Sequence, residues 1–249
     1  YFVQVSNDVA YWQHRFHCAA VDLHRSYGAF AGDELVAFII QGFCAPDAVP
    51  TAFNSGTGVL PAYRGQQLVD RLYAHALPLL RHEGITCCTL EVIQQNERAI
   101  RVYERIGFRR MHAWRCFRGE LAPPARTVAL LPIDRSRLDP IWLSDDHLYS
   151  WDHRWPALER SDGRWMMYAA EDVVGYVVLD PVTGRIARIG VQDEEDAAQW
   201  NTLMAGVCGL VRNVSIVNVH QRRTGLVAAL LAAGLVEHVD QFEMRMELA

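Results

Sequence analysis

The feature that most constrains the fold is residues 56–108, where strand and helix patterns follow one another in a fixed order. A short strand pattern ends at Pro61, because proline lacks the N–H group that a strand ladder needs. In residues 68–80 apolar side chains recur every three or four positions, which predicts a helix buried on one face. Residues 86–93 form an apolar, β-rich run typical of a buried central strand. A second helix is predicted over residues 96–106.

The turn before the first helix favours an anion. It contains Arg64 and Gly65, and it feeds a helix whose first N–H groups have no acceptor inside the helix. Those N–H groups and the helix dipole together attract negative charge. Asp70, in the first turn of the helix, opposes such a site unless its carboxylate points away.

Three motifs in this order resemble the GCN5-related N-acetyltransferase (GNAT) family. They are Val59-x-Pro61-x-x-Arg64-Gly65, Leu90-Glu91-Val92 and Asn96-x-x-Ala99-x-x-x-Tyr103-x-x-x-Gly107-Phe108. The resemblance covers about residues 27–121, and it implies acetyl-CoA as a co-substrate. Gln67 and Val69 depart from the family pattern, which has small residues at both positions. The main-chain N–H donors of the turn persist whatever the side chains are.

The resemblance also implies a set of site residues. Those expected to bind the coenzyme are Thr57, Gly58, Val59, Arg64, Gly65, Gln66, Gln67, Leu68, Val69, Asn96 and Tyr103. Glu91 is expected to act as the general base that takes a proton from the acceptor amine, and Tyr103 to protonate the departing thiolate. Two structural alternatives stay open: Glu91 pairs with an arginine or faces solvent, and Tyr103 is a core residue.

Composition narrows the classes of function. Hydrophobic residues make up 51% and charged residues 21%, which is typical of a globular protein, and the formal charge of −5 argues against a nucleic-acid partner. Six cysteines without ligand spacing predict a reduced, cytoplasmic protein with no metal. No apolar run is long enough to predict a membrane span. The expected acceptor is a small-molecule or peptide amine, and the expected state is a monomer or homodimer.

The second half of the chain repeats the order of elements of the first. A Pro-rich break at residues 122–125 predicts two domains, 1–122 and 127–249. In the second, a hairpin at residues 165–180 and strands at 187–191 and 214–219 mirror the first-half pattern.

The repeat lacks the residues that the chemistry needs. Setting Gly234 against Gly107 gives an offset of 127 residues, which places Asn218 at the position of Glu91 and Leu230 at that of Tyr103. Residues 192–196 carry four carboxylates where the first half has its basic turn, and these would repel a diphosphate. We therefore expect a degenerate domain without a cofactor site.

The predicted fold class is α+β with a mixed α/β sheet. Each of two tandem GNAT-like domains is expected to have a central, mostly antiparallel sheet flanked by helices. The first lacks its N-terminal strand in this chain, so an upstream segment is expected. The predicted function is transfer of an acetyl group from acetyl-CoA to a primary amine by direct attack. A non-catalytic acyl-CoA or CoA sensor and a ligand-free scaffold are the alternatives.

Overall fold

The computed structural model describes residues 6–138, 140–161, 163–170 and 175–248, without the side chains of Asp47, Pro140 and Ile141. The chain divides into two compact units. Unit 1 runs from the start of the described chain to His112 and also includes the chain from Phe242 onward, whereas unit 2 spans Ala113–Gln241.

The helices and strands follow the chain in this order. Unit 1 contains α1 (Val9–Cys18), β1 (Tyr27–Ala31), β2 (Glu34–Cys44), β3 (Thr51–Val59), α2 (Leu68–His82), β4 (Cys87–Ile93) and α3 (Glu97–Ile106). Strand β5 (Arg109–Glu120) begins in unit 1 and ends in unit 2. Unit 2 then contains β6 (Leu130–Pro132), α4 (Pro140–Leu143), α5 (Trp155–Glu159), β7 (Met166–Ala170), β8 (Gly175–Asp180), β9 (Arg185–Val191), α6 (Ala197–Leu210), β10 (Asn213–His220) and α7 (Thr224–Ala232). Strand β11 (Val236–Glu247) begins in unit 2 and ends in unit 1.

The sheet of unit 1 has the strand order β1-β2-β3-β4-β11. Strands β1, β2 and β3 form an antiparallel meander, and β3 pairs with β4 in parallel. The parallel pair is joined through α2, as a parallel connection requires. This arrangement confirms the predicted mixed sheet and the predicted order of strand, turn, helix, strand and helix.

The core of unit 1 lies between the helices α2 and α3 and one face of the sheet. Leu72, Ala76 and Leu80 of α2 recur at helical spacing and are buried there, together with Cys88 and Leu90 of β4. Burial of each leucine contributes roughly 1.5–3 kcal/mol. The helices are therefore fixed on the sheet by the apolar stripe that the sequence predicts.

The C-terminal strand completes unit 1, which the predicted division at residues 122–127 does not include. Met244, Met246 and Leu248 alternate along the end of the chain and are buried in the same core as Leu90. The N–H group of Leu248 also donates to the carbonyl oxygen of Thr86 at 2.8 Å. The last strand thus supplies the neighbour that β4 needs on its second edge, and unit 1 is not complete at residue 122.

The sheet of unit 2 has the strand order β5-β10-β9-β8-β7-β6. Strands β7 and β8 form the predicted hairpin, whose turn at residues 171–174 lies outside the described residues. Strands β9 and β10 pair in parallel, as β3 and β4 do in unit 1. In the described ranges of both units, no helix has the length and apolar content needed to cross a membrane.

The turn after β8 makes unit 2 sensitive to acid. Asp180 is 4% exposed and accepts hydrogen bonds from Thr183 Oγ1 (2.7 Å), Arg164 Nε (2.8 Å) and the N–H group of Val182 (2.9 Å). Burial raises its pKa, but these hydrogen bonds outweigh that effect and lower the pKa to about 2. The carboxylate therefore stabilises the folded state above its unfolded pKa of 3.8, and this stability is lost as the pH falls towards 2.

We expect Asp180→Asn to remove about 2 kcal/mol of unfolding free energy at pH 7, together with most of the acid dependence between pH 4 and pH 2. Urea unfolding of both proteins across this range measures the effect. If the unfolding free energies of the two proteins fell in parallel between pH 4 and pH 2, Asp180 would not be the group that makes unit 2 sensitive to acid.

Candidate functional site

The turn that leads into α2 presents a row of free N–H groups. Pro61–Tyr63 form one helical turn, Gly65 has a φ angle of +85°, and Gln67 lies in the left-handed region with a φ angle of 54°. Within the described residues, the N–H groups of residues 65–69 have no hydrogen-bond acceptor. Residues 64–67 of the turn are exposed. The start of a 15-residue helix thus faces the surface with donors unsatisfied, which suits an anion.

Asp70 does not oppose this turn in the way the sequence suggests. Its two carboxylate oxygens accept hydrogen bonds from Nε and Nη2 of Arg105 on α3, at 2.6 and 2.7 Å. These bonds lower the pKa of Asp70, so the carboxylate is ionised and compensated by a guanidinium. The charge that would repel an anion is therefore neutralised by a residue 35 positions away.

Strands β3 and β4 separate at their C-terminal ends. Their last register pair is Asn54 opposite Leu90, although β3 continues to Val59 and β4 to Ile93. Residues 56–59 of β3 still pair with β2 on one edge, while the β4 ladder on the other edge has already ended, which leaves an opening between β3 and β4. An extended ligand can bond to such an edge as an added strand.

Asn54, which no sequence motif singles out, fixes the point where the opening starts. Its buried side chain accepts a hydrogen bond from the N–H group of Gly56 (3.1 Å) and donates to Thr57 Oγ1 and to the hydroxyl oxygen of Tyr73 (2.7 Å each). Strand β3 has a bulge here, since consecutive residues Ile40 and Gln41 of β2 pair with Gly56 and Asn54 and leave Ser55 unpaired. The hydrogen bonds of Asn54 stabilise this bulge. The sequence signal for this role is weak, because Asn54 stands in a strand that also contains Thr, Ser and Gly residues.

Gly58 has a packing role in addition to its predicted one. A Cβ atom at this position would lie 2.5 Å from the ring of Phe38, so the glycine makes room for that side chain. At Gly56, in contrast, the space beside the backbone is open. Arg64 lies nearby, and its Nε donates to the carbonyl oxygen of Val59 at 3.4 Å.

The two predicted proton carriers lie on opposite faces of β4. Leu90 and Val92 are buried in the core of unit 1, and Tyr103 packs in that core with its ring at 5.8 Å from the ring of Phe108. Glu91 alternates with these residues and is half-buried on the other face. It lies one residue beyond the last β3–β4 pair. The two side chains therefore lie on different sides of β4, and the catalytic roles of Glu91 and Tyr103 stay predictions.

Asn96 caps α3. Its side-chain oxygen accepts a hydrogen bond from the N–H group of Ala99 at 3.2 Å. Asn96 therefore has a structural role at the start of α3 in addition to its predicted contact with the coenzyme.

A separate cleft of about 380 Å³ in unit 1 contains none of the predicted site residues. It is lined by Gln94, Glu97, Ile100, Arg101, Arg110 and Phe242. Its two arginines are paired with Glu97 and Glu104, both at 3.0 Å. The charges of the cleft are thus compensated, unlike the free donors of the turn before α2.

Unit 2 has a comparable strand opening, but its own side chains fill it. The β9–β10 ladder has its last pair at Ile186 opposite Ile216. Farther along β9, the carbonyl oxygen of Ile189 accepts hydrogen bonds from Nη2 of Arg223 (2.8 Å) and from the hydroxyl group of Tyr149 (3.1 Å). Arg223 is 6% exposed and is also paired with Glu194.

Three of the four carboxylates of residues 192–196 have structural partners. Glu194 binds Arg223 Nε at 2.9 Å, and Asp196 caps α6 by accepting from the N–H group of Ala198 at 2.8 Å. Asp193 accepts from the N–H group of Glu195 at 3.0 Å. No group of three or more His, Cys, Asp or Glu side chains suited to a metal occurs within the described ranges.

Comparison with known proteins agrees with this description. The sequence model of the Acetyltransferase (GNAT) family matches residues 2–108. No curated protein matches the sequence at a significant level.

Three solved structures are similar over most of the chain. A GCN5-related N-acetyltransferase from Sphaerobacter thermophilus is 16% identical with a TM-score of 0.61, covering 90% of this chain and 80% of that one. Another from Anabaena variabilis is 16% identical with a TM-score of 0.60, covering 94% and 65%. A tandem GNAT protein from the clavulanic acid biosynthesis pathway is 18% identical with a TM-score of 0.55, covering 90% and 82%. At these identities the likeness establishes the fold alone. The chain is therefore similar to the Acetyltransferase (GNAT) family over residues 2–108 and shares the fold of these GNAT structures.

Proposed function

We propose that unit 1 binds acetyl-CoA and transfers its acetyl group directly to a primary amine of a small molecule or peptide. The observation that carries this proposal is that the β3–β4 ladder ends at Asn54 and Leu90 and leaves an opening between the strands. The free N–H groups of residues 65–69 follow the C-terminal end of β3. A diphosphate carries the charge that these donors attract. The free edge of β3 offers backbone groups to an extended pantetheine arm.

The residues proposed to hold the coenzyme come from four segments. They are Thr57, Gly58 and Val59 of β3, Arg64 to Gln67 of the turn, Leu68 and Val69 at the start of α2, and Asn96 and Tyr103, at the N-cap and within α3. Gln67 and Val69 act through their main-chain groups. The Arg105 guanidinium keeps Asp70 from repelling the bound anion.

The coenzyme supplies a thioester whose carbonyl carbon accepts the amine nitrogen. Glu91 takes a proton from the ammonium form of the amine before the N–C bond forms, because an ammonium group has no lone pair for attack. Backbone N–H groups of β3 polarise the carbonyl group, and Tyr103 donates a proton to the sulfur atom as the C–S bond breaks. The amine reaches Glu91 on the sheet face opposite the core that holds Tyr103.

A CoA or acyl-CoA sensor is the second candidate, favoured by one observation. Glu91 and Tyr103 lie on opposite faces of β4, so a bound thioester has to occupy the opening itself to meet both. Thiol release from acetyl-CoA with a panel of primary amines separates the two functions. Binding without thiol release would favour the sensor.

We propose a structural role for unit 2, with one coenzyme bound per chain. The supporting observation is that Arg223 and Tyr149 already occupy the backbone acceptor of β9 that a coenzyme arm would use. Titration calorimetry with acetyl-CoA measures the stoichiometry. Two equivalents per chain would contradict this role.

The turn before α2 offers a matched pair of substitutions. Gly65 and Gly84 both have positive φ angles, +85° and +79°, and a Cβ atom added at either would lie in open space. Replacing either with alanine costs about 1–2 kcal/mol of backbone strain. Only Gly65 belongs to the turn proposed to present N–H groups to the diphosphate.

We expect Gly65→Ala to weaken CoA binding at least tenfold, because relief of the strain rotates the donors away from the ligand. Gly84→Ala should bind CoA as the wild-type protein does, although both variants lose similar stability. In thermal-shift titrations, CoA at 100 times its Kd should stabilise the wild-type protein by about 2.7 kcal/mol. Equal CoA affinity in all three proteins would contradict the proposed site.

A further inference from the structure

Ser55 carries a buried hydroxyl group that no feature described so far explains. Its Oγ atom is inaccessible to solvent and has no hydrogen-bond partner among the described residues. A buried hydroxyl without a partner is destabilising relative to an apolar group of the same shape. Because native proteins satisfy most buried polar atoms, such an exception calls for a partner that the free chain does not contain.

The position of Ser55 in the sheet indicates where that partner lies. On one side of β3, the ladder with β2 pairs Gly56 and Asn54 but skips Ser55. On the other side, the ladder with β4 has its last pair at Asn54 opposite Leu90. Ser55 is thus the extra residue of the bulge and also the first residue of β3 beyond the closed part of the sheet.

The length of the opening places Ser55 beside the reacting end of an extended ligand that is held at the turn before α2. Residues 55–59 extend over about 13 Å at 3.3 Å per residue. The anion-binding turn lies past Val59, at the far end of this distance. An extended ligand anchored by its diphosphate at the turn and bonded along β3 therefore brings its other end to Ser55. Glu91 lies at the same level along β4, one residue after Leu90.

We infer that the Ser55 hydroxyl group donates a hydrogen bond to the acyl carbonyl oxygen of the bound acyl-CoA. This inference rests on the function proposed for unit 1. An acyl carbonyl oxygen is a pure acceptor, which matches an O–H donor without an acceptor of its own. As the amine adds, this oxygen gains negative charge and the hydrogen bond strengthens, so Ser55 stabilises the transition state more than the bound substrate. The proton of Ser55 stays on its oxygen throughout.

The decisive comparison is between Ser55→Ala and Thr51→Val. Thr51 lies at the other end of β3 and is also buried, but its hydroxyl already donates to the carbonyl oxygen of Val49 at 2.8 Å. Affinities for CoA and acetyl-CoA are measured by calorimetry, turnover by thiol release, and the melting temperature of the ligand-free protein by circular dichroism. CoA lacks the acyl carbonyl, so the ratio of the two affinities reports on that contact without any turnover.

We expect Ser55→Ala to lower the preference for acetyl-CoA over CoA by about fivefold and kcat by roughly 10- to 100-fold. Its melting temperature should be unchanged or higher, because a buried unpaired hydroxyl is removed. Thr51→Val should show the opposite pattern, with a lower melting temperature and an unchanged preference. Ser55→Cys, which keeps a weak donor of similar size, should be intermediate in kcat.

Two results would overturn the inference about Ser55 alone. One is an active Ser55→Ala protein with the wild-type affinity ratio and a kcat within twofold. The other is a lower melting temperature for Ser55→Ala with an unchanged ratio, which would mean that a water molecule or the protein already satisfies the hydroxyl. A wild-type protein that binds neither CoA nor acetyl-CoA would overturn the proposed function and this inference together.

Discussion

Replacing Glu91 with glutamine is expected to lower kcat by about 10²- to 10⁴-fold, the usual contribution of a general base. The amide keeps the size of the side chain but cannot accept a proton from the attacking amine. Folding should be retained, because Glu91 is half-buried and outside the apolar core of unit 1. The loss should therefore appear in turnover while the affinity for CoA is kept. Thiol release and calorimetry measure the two quantities separately.

The pH dependence of kcat distinguishes loss of the general base in Glu91→Gln from a general disturbance of the site. As the pH rises towards the pKa of the acceptor amine, the amine arrives already deprotonated and no longer needs Glu91. The rate of Glu91→Gln should therefore approach that of the wild-type protein at high pH. Glu97→Gln is a suitable control, since Glu97 is exposed on α3 and paired with Arg101, and its kcat should stay within twofold. A Glu91→Gln protein with the wild-type rate at pH 7 would show that the base lies elsewhere.

The central part of the fold can be predicted from sequence because its signals are local. Helix α2 follows from apolar residues at three- and four-residue spacing, and β4 from an apolar run of strand length. The turn proposed to bind an anion is equally local, since Gly65 and the start of a helix are enough to leave N–H donors free. These parts agree between sequence and structure because each depends on near neighbours in the chain.

The features that escape sequence reasoning depend on distant partners. From the sequence, Asp70 is expected to oppose an anion at the turn before α2. Arg105 neutralises its charge in the structure, but no sequence pattern pairs these two residues. The role of Ser55 depends on the register of β3 against both of its neighbours, which the sequence does not specify. The alternation of Met244 and Met246 indicates a strand, but it does not say that this strand joins the first unit.

The role of Arg188 also cannot be predicted from the sequence. It lies in the middle of β9 among Ile and Ala residues and is 0% exposed. Its guanidinium group donates to Asp146 (2.5 Å), to Asp145 and to the carbonyl oxygen of His153 (3.1 Å). Its central carbon lies 3.6 Å from the centroid of the Tyr149 ring. A single buried cation thus satisfies several acceptors at once.

Arg188→Met is accordingly expected to lower the unfolding free energy of unit 2 by about 3–5 kcal/mol, the usual loss when one partner of a buried ion pair is removed. Methionine fills much of the space of the arginine stem, so the loss comes mainly from acceptors left without a donor. Urea unfolding followed by tryptophan fluorescence measures it. Arg212→Met is the control, because Arg212 and Glu120 form a surface pair with side chains 51% and 63% exposed, and its loss should cost less than about 1 kcal/mol.

The acceptors around Arg188 also predict how this loss depends on pH. Burial raises the pKa of Asp145 to about 6 even with Arg188 in place. Because this folded pKa lies above the unfolded value, protonation of Asp145 favours the folded state, and stability from this group falls as the pH rises through 6. Without the guanidinium the pKa should rise further, so the deficit of Arg188→Met should be smaller at pH 5 than at pH 8. Adding Asp145→Asn should recover part of the loss at pH 8, since it removes the uncompensated charge. A deficit no larger than that of Arg212→Met, or one that grows as the pH falls, would show that Arg188 does not hold unit 2 together in this way.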